Sequence, residues 1–187
     1  MSDFEKSLDD SLAMLESLRA LSAQVRDCAD RCLASLNSGG KILLCGNGGS
    51  AAQAQHLAGE LLGRYKTNRR PLAAITLAAD ASVLTCIGND YGFEEVFSRQ
   101  VRALGRPGDV LIALTTSGRS PNILEALRAA KEVGMTSIAF LGGDGGAALP
   151  LSDSALVVRH RDTARIQEGH QFLLHCLMDV IEAGMKV

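Results

Sequence analysis

Five short apolar runs divide the chain, and they constrain its fold more than any other feature of the sequence. The runs are Lys41–Cys45, Leu72–Leu77, Val110–Leu114, Thr136–Leu141 and Ala155–Val158. Such runs, short and hardly interrupted by polar residues, are typical of parallel strands that are covered by helices on both faces. The pattern therefore predicts an α/β fold, a three-layer αβα sandwich around a mainly parallel sheet of five strands.

Helical patterns lie around these runs and define how the chain is organised. A leading helix is predicted over 2–37, where apolar residues such as Phe4, Leu8 and Leu12 recur every three or four positions. Further helices are predicted over 50–65, 94–104, 121–133 and 163–185. Because no linker divides the sequence, we expect a single domain over 1–187, with a helical segment over 1–38 and an α/β core over 41–187.

Charge and cysteine content narrow the class of partner and the compartment. Nineteen basic and twenty-one acidic residues give a net charge of −2, whereas nucleic-acid and anionic-membrane partners usually require a basic excess. The five cysteines are scattered and form no CxxC pair, which favours reduced thiols. No apolar run is long enough to span a bilayer, and the N-terminus lacks a signal-peptide pattern. We expect a cytoplasmic protein without nucleic-acid or membrane partners.

A glycine-rich loop, Gly46–Ser50, follows the first apolar run. Glycines allow a tight turn, and the N-terminus of the following helix offers free N–H groups to an anion such as a phosphate. The loop matches neither the dinucleotide-binding pattern nor a Walker loop, since the required glycine spacing and the GK[ST] sequence are missing. An ordinary strand-to-helix turn is the alternative.

A hydroxyl-rich loop, Thr115–Asn122, follows the third run. It places four hydroxyls, those of Thr115, Thr116, Ser117 and Ser120, at a strand end directly before a helix. Hydroxyls and helical N–H groups together can bind a phosphate without a lysine. The alternative is that Ser120 only caps the helix, which would explain one hydroxyl of the four.

Histidines and one carboxylate are the candidate reactive groups. His56 and Glu60 are four residues apart, which places them on one face of the helix that begins at the glycine loop. Such a pair can share a metal or a proton, although it is often a plain surface contact. The closing helix carries His170 and His175, and spacing alone does not decide which of the two is functional.

Several motifs together resemble the phosphoheptose isomerases of the sugar isomerase (SIS) domain family. The motifs, in the order of that family, are Gly46–Ser50, His56–Glu60, Gly88–Phe93, Thr116–Ser120 and Arg165–Glu168. The resemblance implies isomerisation of D-sedoheptulose 7-phosphate to D-glycero-D-manno-heptose 7-phosphate through an enediol. It also implies a role in making ADP-heptose for lipopolysaccharide or capsule.

The resemblance also implies a role for individual residues. Glu60 would be the base and His175 the acid, and one zinc ion per subunit would be bound by His56, Glu60, Gln167 and His175. The implied substrate-binding residues are Asn47, Gly48, Gly49, Ser50, Glu60, Asn89, Asp90, Thr115, Thr116, Ser117, Ser120 and Gln167. Two positions depart from the family pattern: Gln53 stands where Asp is frequent, and Thr115 replaces a Ser while keeping the hydroxyl.

The implied metal ligands raise a geometric question about the closing helix. Gln167 and His175 are eight residues apart, or about 12 Å along a straight helix, whereas zinc bonds are only about 2 Å long. We therefore predict that the helix bends near Gly169 or that a neighbouring subunit supplies one ligand. The second possibility and the apolar N-terminal helix favour a homo-oligomer, which the resemblance implies to be a tetramer with sites between subunits.

Three alternative functions stay open at this point. A non-catalytic protein of the same fold could associate with the bacterial replication initiator, although Glu60 argues against that reading. A sugar-phosphate sensor would use the hydroxyl loop and leave the His/Glu set idle. An isomerase for a different phosphosugar would use both.

Overall fold

The computed structural model describes residues 2–185 and contains one parallel sheet. Its strands are β1 (Ile42–Gly46), β2 (Ala74–Thr76), β3 (Val110–Thr115), β4 (Thr136–Gly142) and β5 (Ser154–Val158). They lie in the order β2-β1-β3-β4-β5, and every neighbouring pair is parallel. The predicted α/β class and five-stranded sheet are confirmed.

Seven α-helices surround the sheet in the described part of the chain. They are α1 (Asp3–Ser17), α2 (Ser22–Asn37), α3 (Gly49–Leu62), α4 (Ala81–Tyr91), α5 (Ser98–Leu104), α6 (Pro121–Val133) and α7 (Thr163–Gly184). Short 3-10 helices lie at Leu18–Leu21, Phe93–Glu95 and Gly146–Leu151. None of the helices within residues 2–185 has the length and apolar character needed to cross a bilayer.

The sheet is apolar on both faces because each face supports its own core. Along β1, Ile42 and Leu44 belong to the core beneath α2, α3 and α7, whereas Leu43 and Cys45 belong to the core beneath α5 and α6. All four side chains are fully buried. A strand between two helical layers therefore has no polar alternation, which is why the short apolar runs predict this fold.

The strand order places the two candidate loops side by side. From β1 the chain moves to β2 on one side, and β3 then pairs with the other side of β1. This reversal is the position where open α/β sheets bind ligands, at the carboxyl ends of the strands. Gly46 at the end of β1 pairs in register with Leu114 of β3, so the glycine loop and the hydroxyl loop leave the sheet together.

Five elements differ from the sequence predictions. Two predicted helices are shorter: 50–65 corresponds to α3 (Gly49–Leu62), and 94–104 corresponds to α5 (Ser98–Leu104). The leading helix is divided, because a 3-10 turn at Leu18–Leu21 separates α1 from α2. The second strand is shorter than the run Leu72–Leu77, since only Ala74–Thr76 pairs with β1. Helix α4 has no counterpart among the predicted elements; it is capped by Asp80, whose carboxylate accepts hydrogen bonds from the N–H groups of Ser82 and Val83.

Candidate active site

The glycine loop brings the start of α3 against α7. Gly48 has a φ of +56°, a conformation that favours glycine. A Cβ atom on Gly49 would lie 2.5 Å from Nε2 of Gln167, so a side chain at this position would displace the Gln167 amide. Ser50 is buried behind the loop, and its N–H donates to the carbonyl of Asn47 at 3.0 Å. The predicted substrate residues Asn47 to Ser50 and Gln167 are therefore neighbours.

The hydroxyl loop forms a compact cluster of oxygens at the end of β3. Thr115 Oγ1 lies 3.3 Å from Ser120 Oγ and 3.5 Å from Ser117 Oγ. Ser120 makes no side-chain capping bond to α6, so capping does not explain its hydroxyl. A small cavity of about 60 Å³ lies here, lined by Asn47, Ser50, Leu114, Thr115, Thr116, Ser120 and Gln167. The structure thus brings the glycine loop, the hydroxyl loop and Gln167 to one place.

Asn122 joins the two loops, and sequence reasoning did not select it as a site residue. Its side-chain amide exchanges two hydrogen bonds of 2.9 Å with the amide of Asn47. Asn122 is the second residue of α6 and is 2% exposed, so this bridge is buried between the neighbouring strand ends. An asparagine at a helix start has no sequence signal of its own; only the strand order reveals its partner.

The predicted reactive groups converge at the far end of α3. His56 Nε2 lies 3.1 Å from Glu60 Oε1 and 3.1 Å from His175 Nε2. Glu60 Oε1 lies 3.6 Å from His175 Nε2. The Glu60 side chain is only 14% exposed, and its second oxygen is buried without a hydrogen-bond partner. A carboxylate and two imidazoles therefore face one another within a single chain.

The spacing of this cluster fits a divalent metal. Zinc in a tetrahedral site has bonds of about 2.0–2.2 Å, which places its ligand atoms about 3.3–3.6 Å apart. The separations of 3.1, 3.1 and 3.6 Å among His56, Glu60 and His175 are close to that range. The three residues also offer the nitrogen and oxygen donors that zinc prefers. The residues present fit the metal that the resemblance implies.

Two residues that sequence reasoning missed hold His175 in place. The amide nitrogen of Gln171 lies 3.0 Å from His175 Nε2. The ring of Tyr65 stacks on the imidazole, with centroids 5.7 Å apart and an angle of 24° between the planes. Gln171 precedes His175 by four residues on α7, a spacing that could have identified it, whereas Tyr65 belongs to the loop after α3 and carries no such signal.

Gln167 does not join the histidine cluster by a hydrogen bond in the described part of the chain. Its side chain lies at Gly49, and its backbone carbonyl accepts a 2.7 Å hydrogen bond from Gln53. Helix α7 continues through Gly169 without interruption, so no break brings Gln167 closer to His175. Gly169 instead makes room for α1, because a Cβ atom there would lie 2.9 Å from the sulfur of Met14.

Asn89 and Asp90 are the two predicted substrate residues that belong to helix α4. Both are exposed near the end of α4, where the Asn89 amide donates to Asp90 at 2.7 Å. Within residues 2–185, no hydrogen bond connects either residue to the hydroxyl loop or to the histidine cluster. The remaining predicted site residues form two groups, one at the loops and one around Glu60.

Comparisons of the chain with known proteins all indicate the same family. Residues 6–142 match the model of the SIS domain. The chain is 48% identical to a phosphoheptose isomerase of Trichlorobacter lovleyi over 181 residues, which cover 96% of this chain and 92% of that protein. It is 55% identical to a phosphoheptose isomerase of Burkholderia pseudomallei over 170 residues, which cover 91% of this chain and 86% of the relative.

Solved structures agree with this result. The structure of phosphoheptose isomerase from Neisseria gonorrhoeae has a TM-score of 0.92 and 46% identity, covering 96% of this chain and 97% of that one. A phosphoheptose isomerase from Francisella tularensis has a TM-score of 0.93 and 38% identity, covering 98% of this chain and all of the other. With this fold, these loops and this degree of identity, the chain belongs to the SIS domain family and, within it, to the phosphoheptose isomerases.

Proposed function

We propose that this isomerase interconverts D-sedoheptulose 7-phosphate and D-glycero-D-manno-heptose 7-phosphate through an enediol. The observation that carries the proposal is the 3.6 Å approach of Glu60 Oε1 to His175 Nε2. Aldose–ketose isomerisation requires a base for a C–H proton and an acid for the carbonyl oxygen, and a carboxylate beside an imidazole supplies both. Neither a replication-initiator partner nor a sugar-phosphate sensor needs this pair.

The two groups would act in two proton-transfer steps. Glu60 removes a proton from C1 of the ketose while His175 donates a proton to the carbonyl oxygen at C2, which gives the enediol. Glu60 then returns the proton to C2, and the imidazole takes the proton from the oxygen on C1, which forms the aldehyde. Glu60 Oε1 is the oxygen that faces both imidazoles, at 3.1 Å from His56 Nε2 and 3.6 Å from His175 Nε2.

The hydroxyl loop would bind the phosphate of the substrate. Thr115 Oγ1 accepts a hydrogen bond from the Gly118 N–H, and Ser117 Oγ accepts one from the Arg119 N–H. Each hydroxyl can keep this backbone hydrogen bond while its own proton turns from a neighbouring hydroxyl to a phosphate oxygen. Thr116 and Ser120 would contribute two further hydroxyls to this phosphate site.

The glycine loop would bind the sugar between the phosphate and the reactive end. Asn47, Gly48, Gly49 and Ser50 begin α3, and Glu60 lies on the same helix eleven residues after Gly49, which is about 16 Å along the axis. The sugar would lie beside the start of α3, with its reactive end turned toward the histidine cluster. Gln167, which lies against Gly49, would contact the sugar as well.

Zinc is the metal that we propose for the histidine cluster, with one ion per subunit. His56, Glu60 and His175 would hold it, and the proposed fourth ligand Gln167 would come from a second subunit, since α7 is unbroken between Gln167 and His175. A bound divalent ion polarises a carbonyl oxygen and stabilises the negative charge of an enediolate.

A homotetramer with sites between subunits is the assembly that we propose. A groove of about 980 Å³ lies between the N-terminal helices and α7. Leu12 and Phe172 line it and are 55% and 47% exposed, which is unfavourable for large apolar side chains in water. A second subunit would cover them and could bring Asn89 and Asp90 to a neighbouring site. The free cysteines of the described chain suit a reducing compartment, and we place the reaction in the cytoplasm.

Product analysis by NMR tests the proposal directly. Wild-type protein with D-sedoheptulose 7-phosphate should form the aldose, and Glu60→Gln should lower kcat by about 10²–10⁴-fold, the usual contribution of a general base. Glu132→Gln is the matched control, because Glu132 is an exposed carboxylate on α6 whose partner is Arg102. A chelator arm, followed by return of zinc, tests the metal.

The outcomes separate the candidate functions. Turnover that is abolished by Glu60→Gln and unchanged by Glu132→Gln supports the isomerase. Thermal stabilisation by the sugar phosphate without any product would instead support a sensor. Turnover of another phosphosugar in preference to the heptulose would keep the mechanism and overturn the substrate. Full activity after complete metal removal would overturn the zinc proposal alone.

A further inference from the structure

A buried ion pair lies behind the histidine cluster and touches both helices that carry it. Arg69 belongs to the loop after α3, and Glu182 belongs to the last two turns of α7. Their side chains are only 5% and 7% exposed, and Arg69 Nε lies 3.5 Å from Glu182 Oε1. Burying two charges is costly unless further hydrogen bonds compensate them, so the other contacts of this pair are informative.

Arg69 binds the end of α3 at the residue that carries the proposed base. Its guanidinium donates to the carbonyl of Glu60 at 2.5 Å and to the carbonyl of Leu61 at 2.9 Å. These carbonyls belong to the last turn of α3, where no further helical N–H group follows to bind them. A cation at a helix C-terminus is also stabilised by the helix dipole. Arg69 therefore holds the backbone of Glu60 directly.

Glu182 binds the loop from the side of α7. Its Oε2 accepts hydrogen bonds from the N–H groups of Lys66 at 3.1 Å and Thr67 at 2.9 Å. Burial raises the pKa of the Glu182 carboxyl, but these backbone hydrogen bonds outweigh burial and keep the pKa below its ordinary value. Glu182 follows His175 by seven residues, which is about two helical turns, so both lie on the same face of α7.

The loop between these two anchors also carries Tyr65, whose ring stacks on His175. The pair thus connects the backbone of Glu60, the face of α7 that carries His175, and the loop whose Tyr65 ring stacks on the imidazole. We propose that Arg69 and Glu182 are positioning residues, which set the distance between Glu60 and His175 by clamping the end of α3 to α7. This inference rests on the proposed roles of Glu60 and His175.

Two conservative variants test the clamp. Arg69→Lys keeps the positive charge but loses the planar fork that binds two carbonyls at once. Glu182→Gln keeps the shape and removes the charge. Because displacement of reacting groups by about 1 Å can cost about 100-fold in rate, we expect each variant to lower kcat by about 10–100-fold. KM should change by less than about threefold, since the substrate loops are untouched.

A second ion pair, Lys41–Asp109, provides the matched control. Asp109 precedes β3, is 3% exposed, and accepts hydrogen bonds from two backbone N–H groups and from Lys41 Nζ. Its environment resembles that of Glu182, but its hydrogen-bond partners, Lys41 and Arg106, belong to neither α3 nor α7. Asp109→Asn should therefore lower the melting temperature while kcat per folded molecule stays at the wild-type value.

Several results would overturn the clamp. One is that Arg69→Lys and Glu182→Gln retain wild-type kcat, and another is that they lose activity only in proportion to the unfolded fraction, as Asp109→Asn would. Failure of both variants to fold would likewise assign the pair to stability alone. Turnover by the wild type and its loss in Glu60→Gln are measured first. If the wild type shows no turnover, the proposed function is wrong. If the wild type is active and the clamp variants are unaffected, only this inference is wrong.

Discussion

His170 and His175 lie five residues apart on α7 and occupy opposite environments. Five residues correspond to a rotation of about 140° around a helix, so the two side chains point to different faces. His170 is completely buried, and its Nε2 donates to the carbonyl of Leu141 at 3.0 Å. The His175 side chain is 39% exposed and lies within hydrogen-bond distance of His56 and Gln171.

The comparison shows how burial decides what an imidazole can do. Burial lowers the pKa of His170 to about 4, and the hydrogen bond to the Leu141 carbonyl offsets only part of this effect. Its other nitrogen is buried without a partner, so His170 stays neutral and connects α7 to the end of β4. His175 reaches solvent and a carboxylate, which are the surroundings that proton transfer requires.

The largest expected effect is that substitution of His175 lowers activity, whereas substitution of His170 lowers stability. His175→Asn should lower kcat by about 10²–10⁴-fold, because the proposed acid is lost, while the melting temperature changes little at this half-exposed position. His170→Asn should lower the free energy of unfolding by about 1–3 kcal/mol, the cost of disturbing a buried hydrogen bond, with kcat per folded molecule retained. Initial rates and thermal melts on both variants measure this. A well-folded His170→Asn protein without activity would show that His170 is not purely structural.

The next prediction is that the free energy of unfolding depends on pH because His170 is buried. With a native pKa of about 4 against 6.5 for an exposed histidine, the unfolded chain binds the proton first as the pH falls. The stability contribution of the neutral imidazole is therefore complete above pH 6.5 and is lost towards pH 4, by up to about 3 kcal/mol.

Urea unfolding at pH 7.5 and pH 5.0 measures this loss, and His170→Gln is the control because glutamine does not titrate. The variant should lose less stability between the two pH values than the wild type. Carboxylates such as Asp27, whose pKa is lowered by its hydrogen bond from Arg31, titrate below this window. Equal losses in both proteins would contradict the assignment of the acid sensitivity to His170.

The fold was more predictable from the sequence than the site, for a physical reason. Strands buried on both faces must be apolar along their whole length, so five runs predicted five strands. Helix α4 escaped prediction because only Ile87 is buried on it, and a helix that packs so little shows no apolar periodicity. Strand order is not encoded in any run, since it depends on how the layers pack together.

The two loops were predictable because they follow strands, whereas the convergence of the reactive groups was not. His56 and Glu60 share a helix face, but the position of His175 beside them depends on how α7 crosses the domain. Spacing could not choose between His170 and His175; the resemblance selected His175 as the acid, which stays a proposal. Tyr65 and Asn122 act through partners that are distant along the chain, and no local pattern identifies them.

The smallest predicted effect concerns the aromatic face on which His175 rests. Tyr65→Leu removes the stacked ring, and such a contact contributes about 0.5–1.5 kcal/mol. A loss of this size in orientation of the imidazole corresponds to about a 2–10-fold lower kcat. Tyr65→Phe keeps the ring and removes only the hydroxyl, so its kcat should match the wild type. If Tyr65→Phe is as slow as Tyr65→Leu, the hydroxyl rather than the ring face matters, and His175 would differ from His170 by its polar neighbours and exposure alone.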